Sequence, residues 1–180
     1  MTFTTAASPT DDAAALNDFL VLEASGWKGI AGTAIASDPA LKTFVEGAVG
    51  ALAACGRARI DRLFLNGRAV AAAITLQSGD TAWCWKIAYN EGLASYSPGV
   101  QLALDLTESL LAAPGTTRAD SCATADHPMI DHIWRERLPL HDRLIALRPS
   151  AMPFTAVCGA EMTRRAAIAA AKSLRDRLRR

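Results

Sequence analysis

The sequence predicts one mixed α/β domain, a mostly antiparallel central sheet flanked by helices, and three observations carry that prediction. The hydrophobic period is helical up to Cys55, turns strand-like from Arg57 to Tyr89, and is helical again from Ser97. Within the strand-like stretch, Asn66-Gly67 and Ser78-Gly79-Asp80 punctuate the chain where hairpins would turn. A chain of 180 residues, 51% of them hydrophobic, builds one substantial core and leaves little room for a second.

Taken in order, residues 1–10 read as a loose tail, and Asp11-Asp12 as the cap of a helix through about Ala24, with Leu16, Phe19, Leu20 and Glu23 at helical intervals. Ser25-Gly26 ends it. The Gly-rich stretch GWKGIAGTAIASDPA reads as an irregular loop, after which Asp38-Pro39 opens a helix that stops at Cys55-Gly56. Its apolar face is Leu41, Phe44, Val45, Val49 and Leu52. Three strands then form an antiparallel meander, with Ile60, Leu63 and Leu65, and later Trp83, Trp85 and Ile87, alternating. On that alternation Lys86 points away from the apolar face, to solvent or across a cleft to an acid.

A helix follows from Ser97 to about Ala113, then a short strand over 117–123, a helix from Asp126 or His127 to about Leu138, and a strand in HDRLIALRP. The main domain is placed at 11–150. A basic amphipathic helix fills 151–180, expected to pack on that domain through a narrow stripe of Ala167, Ala171, Leu174 and Leu178. No internal repeat interrupts this order, so the elements are expected to close as packed α/β layers.

Charge and cysteine content remove several classes of function. With 19 Lys and Arg against 18 Asp and Glu, the net charge of +1 gives no reason to expect nucleic-acid binding in general. Cys55, Cys84, Cys122 and Cys158 contain no C-x-x-C pair, which argues against a zinc cage or a redox dithiol, and no metal is expected. His127 and His132 are five residues apart and do not share a helix face. No apolar run reaches the roughly 20 residues that cross a bilayer, and MTFTTAASPTDD has no signal-peptide pattern, so the expectation is a cytoplasmic protein with reduced thiols.

The stretch YNEGLASYSPGV carries the most specific chemistry. Ser97 at the N-cap and Pro98 at the first helical position leave the amides of Gly99, Val100 and Gln101 among those expected to lack helical partners. Orphan amides and the positive end of the helix dipole form an anion site. A glycine at 99 would let a diphosphate come close. The plain alternative is an ordinary Ser-Pro cap with a tolerated glycine. There is no G-x-x-x-x-G-K-[ST] and no G-x-G-x-x-G after a strand, so kinase and dinucleotide-binding readings lack their motifs.

The words FLVLEASGWKGIAGTAI, RLFLNGRAVAAAITL, DTAWCWKIAYNEGLASYSPGVQLALDL and ADSCATADHPMIDHIWRERLPL make the chain resemble the GNAT acyltransferase superfamily. It is most similar to the GNAT-like domain of CelD-type cellulose-biosynthesis proteins and their FemAB-like relatives. The resemblance spans about residues 17–148 and is most specific in K-x-A-Y-N-E followed by Y-S-P-G-V. It implies an acyl-CoA donor, probed first as acetyl-CoA, with pantetheine along Ile87, Ala88 and Tyr89 and pyrophosphate at Ser97, Pro98, Gly99, Val100 and Gln101. The implied reaction is N-acylation of a small-molecule or envelope-precursor amine. The Q/R-x-x-G-x-G/A loop of standard members is absent, and these relatives usually carry two such folds where this chain has room for one.

Acyl transfer needs a base for the amine and an acid for the leaving thiolate. Glu91 and Asp120 are the candidate bases, and Tyr89 and Tyr96 the candidate acids. Trp27 in the Gly-rich loop, with Ser121 and Cys122 on the next strand, are candidates for lining the acceptor cleft. For each, the structural alternative stands beside the functional one: Tyr and Asp in loops commonly cap or hydrogen-bond, Trp27, Trp83, Trp85 and Trp134 read as core anchors, and Cys122 reads as packing. The basic face of the terminal helix is read as solvated. Its rivals are a grip on tRNA phosphates, as in FemAB-like transfer, and a homodimer seam. A non-catalytic scaffold module is the remaining alternative for the whole fold.

Overall fold

Ser8 and Pro9 begin the first helix, because the Ser8 hydroxyl accepts from the Asp11 amide at 3.2 Å while Pro9 occupies the first turn. In this computed structural model, which describes residues 1–124, 126–147 and 152–178, that helix is α1, Pro9–Ser25. The expected start at Asp11-Asp12 is therefore corrected: Ser8-Pro9 is the cap. The expected loose tail is also replaced, since Thr2–Thr5 forms strand β1, paired antiparallel with residues 61–64. A short helix α2, Trp27–Ile30, and a tight turn at Ile35–Ser37 take the place of the expected loop. Asp38 caps α3, Pro39–Ala54, accepting from the Ala40 and Leu41 amides.

Strands β2 (Ala58–Leu65), β3 (Arg68–Ser78) and β4 (Thr81–Tyr89) form the expected meander. Asn66 and Gly67 both take positive φ at the first turn, and Gly79 does so at the second. After a 3₁₀ turn at Glu91–Tyr96 come α4, Pro98–Leu111, and a three-residue strand β5, Arg118–Asp120. The sheet order is β1-β2-β3-β4-β5, antiparallel except for the parallel pairing of β4 with β5.

Helices α1 and α3 cover one face of the sheet. Phe19, Leu20, Val45 and Val49 pack there on Ile60, Ala72 and Ile74. Helix α4 covers the other face, where Leu102, Leu106 and Leu110 meet Leu63, Ala71, Ala73 and Ala82. The alanine run of β3 is buried on both faces, which explains why it reads as continuously apolar rather than alternating.

Two strand registers carry an extra residue. Between β3 and β4, Ile74 pairs with Lys86 and Thr75 with Cys84, leaving Trp85 as a bulge. The bulge breaks the expected alternation. Ile87 belongs to the α4 side, while Trp83 pairs with Leu76, which packs against the α1 side.

Beyond β5 the expected helix over 126–138 reduces to a 3₁₀ turn at Ile130–His132. Asp126 takes a left-handed φ of 61°, and His127 Nδ1 accepts from the Met129 and Ile130 amides. These bonds cap a turn at His127, and the turn ends at Ile133 without continuing as a helix. Trp134 anchors the segment on α4, its indole N–H donating to Thr107 Oγ1 at 2.9 Å.

The chain divides into two compact units, Met1–Glu136 and Arg137–Arg180. The second contains α5, Phe154–Leu178. The expected strand in HDRLIALRP is not formed over the described residues 141–147, and Arg148 and Pro149 lie outside them. Leu178 belongs to α5, but its side chain is outside the described set. Within this unit Glu161 binds both Arg164 and Arg165, and Arg165 also binds Asp142. Hydrogen bonds from Arg164 and then Arg165 pull the Glu161 carboxyl down to about 2. Part of the basic face is thus neutralised within its own unit.

Candidate active site

β5 pairs only with Thr81–Trp83, so among the described residues the outer edge of β4 from Cys84 to Tyr89 has no strand partner. That open edge runs directly into the turn before α4. A recess at its end is lined by Leu22, Glu23, Gly26, Trp27, Lys28, Ile87, Ala88, Tyr89 and Glu91. The end of α1 and the start of α2 form one wall, and the end of β4 the other.

Five of the expected site residues are therefore brought to the recess: Ile87, Ala88, Tyr89 and Glu91, with Trp27 opposite. Glu91 Oε1 accepts from the Trp27 amide at 3.0 Å and so caps α2. A Cβ at Gly26 would lie 2.6 Å from that same oxygen, so a larger residue there would push the Glu91 carboxylate aside. Trp27 is 61% exposed and Trp83 and Trp85 lie at the surface, which corrects the reading of these three as core anchors.

The helix start differs from its expected form. Ser97 stands at the N-cap with φ 50° and makes no side-chain cap bond. The amides of Val100 and Gln101 both donate to Ser97 O, at 3.0 and 3.1 Å. Gly99 is buried, and a Cβ on it would come within 3.1 Å of the Tyr89 ring and 3.3 Å of Met129 Sδ. The glycine thus admits a packed ring and a sulfur, and the expected cradle of free amides around it is corrected accordingly. What faces outward at the first turn is the exposed pair Ser97 and Gln101.

Tyr96 is 67% exposed in the 3₁₀ turn. Asp120 pairs with Trp83, so Tyr89 is six positions further along β4, about 20 Å at the strand rise of about 3.3 Å per residue. Asp120 Oδ1 also accepts from the Cys122 amide at 2.7 Å, and Ser121 Oγ accepts from the Ala123 amide. Both side chains thus shape the turn that follows β5. Burial pushes the Cys84 thiol up to about 11, and burial followed by the Asp120 charge raises Cys122. Neither sulfur is a thiolate near neutral pH.

Glu23 is the site residue that the sequence reading passed over. It is 3% exposed, and Oε1 accepts from both Lys28 Nζ at 3.0 Å and Lys86 Nζ at 3.1 Å, while Oε2 accepts from the Ile35 amide at 2.9 Å. Burial pushes its carboxyl up, but the Ile35 amide and the two lysines outweigh that and hold it below the usual value of 4.5. The available signal was a carboxylate in register with Leu16, Phe19 and Leu20. Lys86 therefore reaches across to an acid, the second of its two expected directions. Among the described residues, no group of three or more His, Cys, Asp or Glu is arranged to hold a metal.

An open β4 edge leading to a helix start, on a sheet covered by helices on both faces, agrees with the family match. The family model described as "Acetyltransferase (GNAT) domain" matches residues 1–127. The chain belongs to the GNAT acetyltransferase family and is an acyltransferase of that class. Acetyltransferases of this family use acetyl-CoA.

Solved structures share the fold. A probable acetyltransferase is 13% identical, with 83% of this chain and 100% of that one covered at a TM-score of 0.56. The aminoglycoside acetyltransferase meta-AAC0020 from an uncultured soil metagenomic sample, in complex with sisomicin, is 11% identical over 82% of this chain and 96% of that one, TM-score 0.57. AAC(6')-Iy in complex with the bisubstrate analogue CoA-S-monomethyl-acetylneamine is 9% identical over 81% and 100%, TM-score 0.54. No curated protein sequence matches the chain.

Proposed function

We propose that the protein transfers an acetyl group from acetyl-CoA to the amine of a small molecule or envelope precursor. The observation that carries this is the unpaired edge of β4 from Cys84 to Tyr89, ending at the recess and at the start of α4. Pantetheine lies along that edge and takes main-chain hydrogen bonds where a strand would otherwise pair. Because the Val100 and Gln101 amides are already used and Gly99 is covered, the pyrophosphate rests outside the first turn. Ser97 Oγ and the Gln101 carboxamide are its side-chain donors there, and the helix dipole adds to them. The match to the GNAT acetyltransferase family and the bisubstrate analogue held by AAC(6')-Iy support the same donor.

In the reaction the acceptor nitrogen attacks the thioester carbonyl carbon; a C–N bond forms, the C–S bond breaks, and one proton moves from nitrogen to the departing sulfur. Glu91 and Tyr89 are the pair for that transfer, since both line the recess while Tyr96 and Asp120 stand away from it. Glu91 Oε1 is held by the Trp27 amide, and Oε2 is the oxygen left to take the amine proton through water. Tyr89 is the acid for the thiolate.

Calorimetry with CoA tests the donor assignment. Saturable heat at micromolar to millimolar CoA is expected, and its absence at millimolar ligand would remove the reading. Tyr89→Phe should lower kcat by about a hundredfold, the low end of what general acids contribute, and leave the CoA Kd unchanged.

A further inference from the structure

We infer that the acceptor carries, besides its amine, an anionic group, a carboxylate or a phosphate, which the Lys28 and Lys86 ammonium groups bind. This rests on the acyltransferase reading of the same recess and adds the class of acceptor.

One carboxylate oxygen serves two ammonium groups. Glu23 Oε1 takes a hydrogen bond from each lysine, and Glu23 Oε2 is occupied by the Ile35 amide. The buried carboxylate therefore balances one of the two positive charges and leaves the other. Each ammonium has three protons and spends one on Glu23. Both lysine side chains remain about a quarter exposed, at 27% and 26%, so the unused donors reach solvent. Sharing an oxygen holds the two nitrogens close enough for one two-oxygen anion to bridge them.

Each ammonium also lies near an indole ring. Lys28 Nζ stands 5.9 Å from the centre of the Trp27 ring and Lys86 Nζ 5.7 Å from that of Trp85. A buried carboxylate that orients two cations, each also resting on an aromatic ring, is a preorganised anion receptor.

The recess is divided by charge. Glu91, at the Trp27 amide, is the negative end and suits the acceptor amine, while Lys28 lines the recess beside Glu23 and Lys86 joins it on the same Glu23 oxygen to make the positive side. A zwitterionic amine meets both. A polycationic amine would meet Glu91 favourably and the lysine pair unfavourably.

The test titrates the ¹⁵N-labelled full chain with sodium acetate and, separately, with inorganic phosphate at constant ionic strength, following the Ile35 amide and the Trp27 indole by NMR. Saturable shifts are expected with at least one anion and not with chloride, and which anion wins separates carboxylate from phosphate. Lys86→Gln and Lys28→Gln should each weaken binding about tenfold, whereas Lys86→Arg should retain most of it.

With saturating acetyl-CoA, 4-aminobutyrate should have a KM at least tenfold below that of butylamine, or phosphoethanolamine below that of ethanolamine. The absence of saturable shifts with either anion overturns the inference, as does equal turnover within both amine pairs. CoA calorimetry on the same sample keeps the two readings apart: heat without anion binding leaves the acyltransferase assignment standing and removes only the acceptor class.

Discussion

Glu23 joins α1, α2 and β4 through one side chain, and its protonation is coupled to stability. Its folded carboxyl titrates below 4.5, so its stabilising contribution is complete above 4.5 and is lost as pH falls through the folded value. Chemical denaturation against pH should show a loss of stability on acidification that is smaller in Glu23→Gln. Two glycines, one buried and one exposed, make a second residue-scale test. Ala at Gly99 forces Tyr89 and Met129 to give way and is expected to cost about 1–3 kcal/mol. Ala at Gly47, on α3 with open space around it, should add about 0.5–1 kcal/mol. Measured urea midpoints decide both. At this scale the sequence was a partial guide. It marked Gly99 as a place of close approach, yet residue spacing carries no information about what approaches, and a ring from β4 and a sulfur from residue 129 are tertiary facts.

Helix starts show how the same dipeptide can do different work. Ser8-Pro9 and Ser97-Pro98 look alike in sequence, but only the Ser8 hydroxyl caps its helix. Ser8→Ala should therefore cost about 1 kcal/mol by thermal or chemical unfolding. Ser97→Ala loses no cap, and Ser97→Gly should gain about 1 kcal/mol by removing a side chain from a left-handed φ of 50°. The hairpins at Asn66-Gly67 and Gly79-Asp80, the cap at Asp38 and the extent of α4 were all legible, because each depends on a few adjacent residues. The bulge at Trp85 was not legible. It is set by register against β3, and it turned an apparently simple alternation into one that sends Lys86 to Glu23 and Ile87 to the other face. The helix expected over 126–138 failed for a related reason: Asp-His-Pro reads as a cap, while packing of Trp134 on α4 selects a single turn.

For the molecule as a whole, the meander and the helices on its two faces followed from period and turn chemistry, and those are the parts of a fold that local sequence encodes. The strand pairings that bring residues 2–5 and 118–120 to opposite ends of the sheet are long-range and were invisible or only roughly placed. The resulting order has a measurable consequence in amide exchange. β3 lies between two strands with helices on both faces, so Ala71–Ile74 should exchange slowest, and the three residues of β5 fastest among the strands. Equal protection across the sheet would contradict the two-sided core.

β5 stops after three residues, and what it leaves behind has a cost when the donor is absent. A bare row of peptide groups, flanked by the surface indole of Trp85, is a template on which a strand from a neighbouring molecule can zip. Concentrated ligand-free samples should therefore self-associate, and light scattering should report dispersal when CoA occupies the vacant margin.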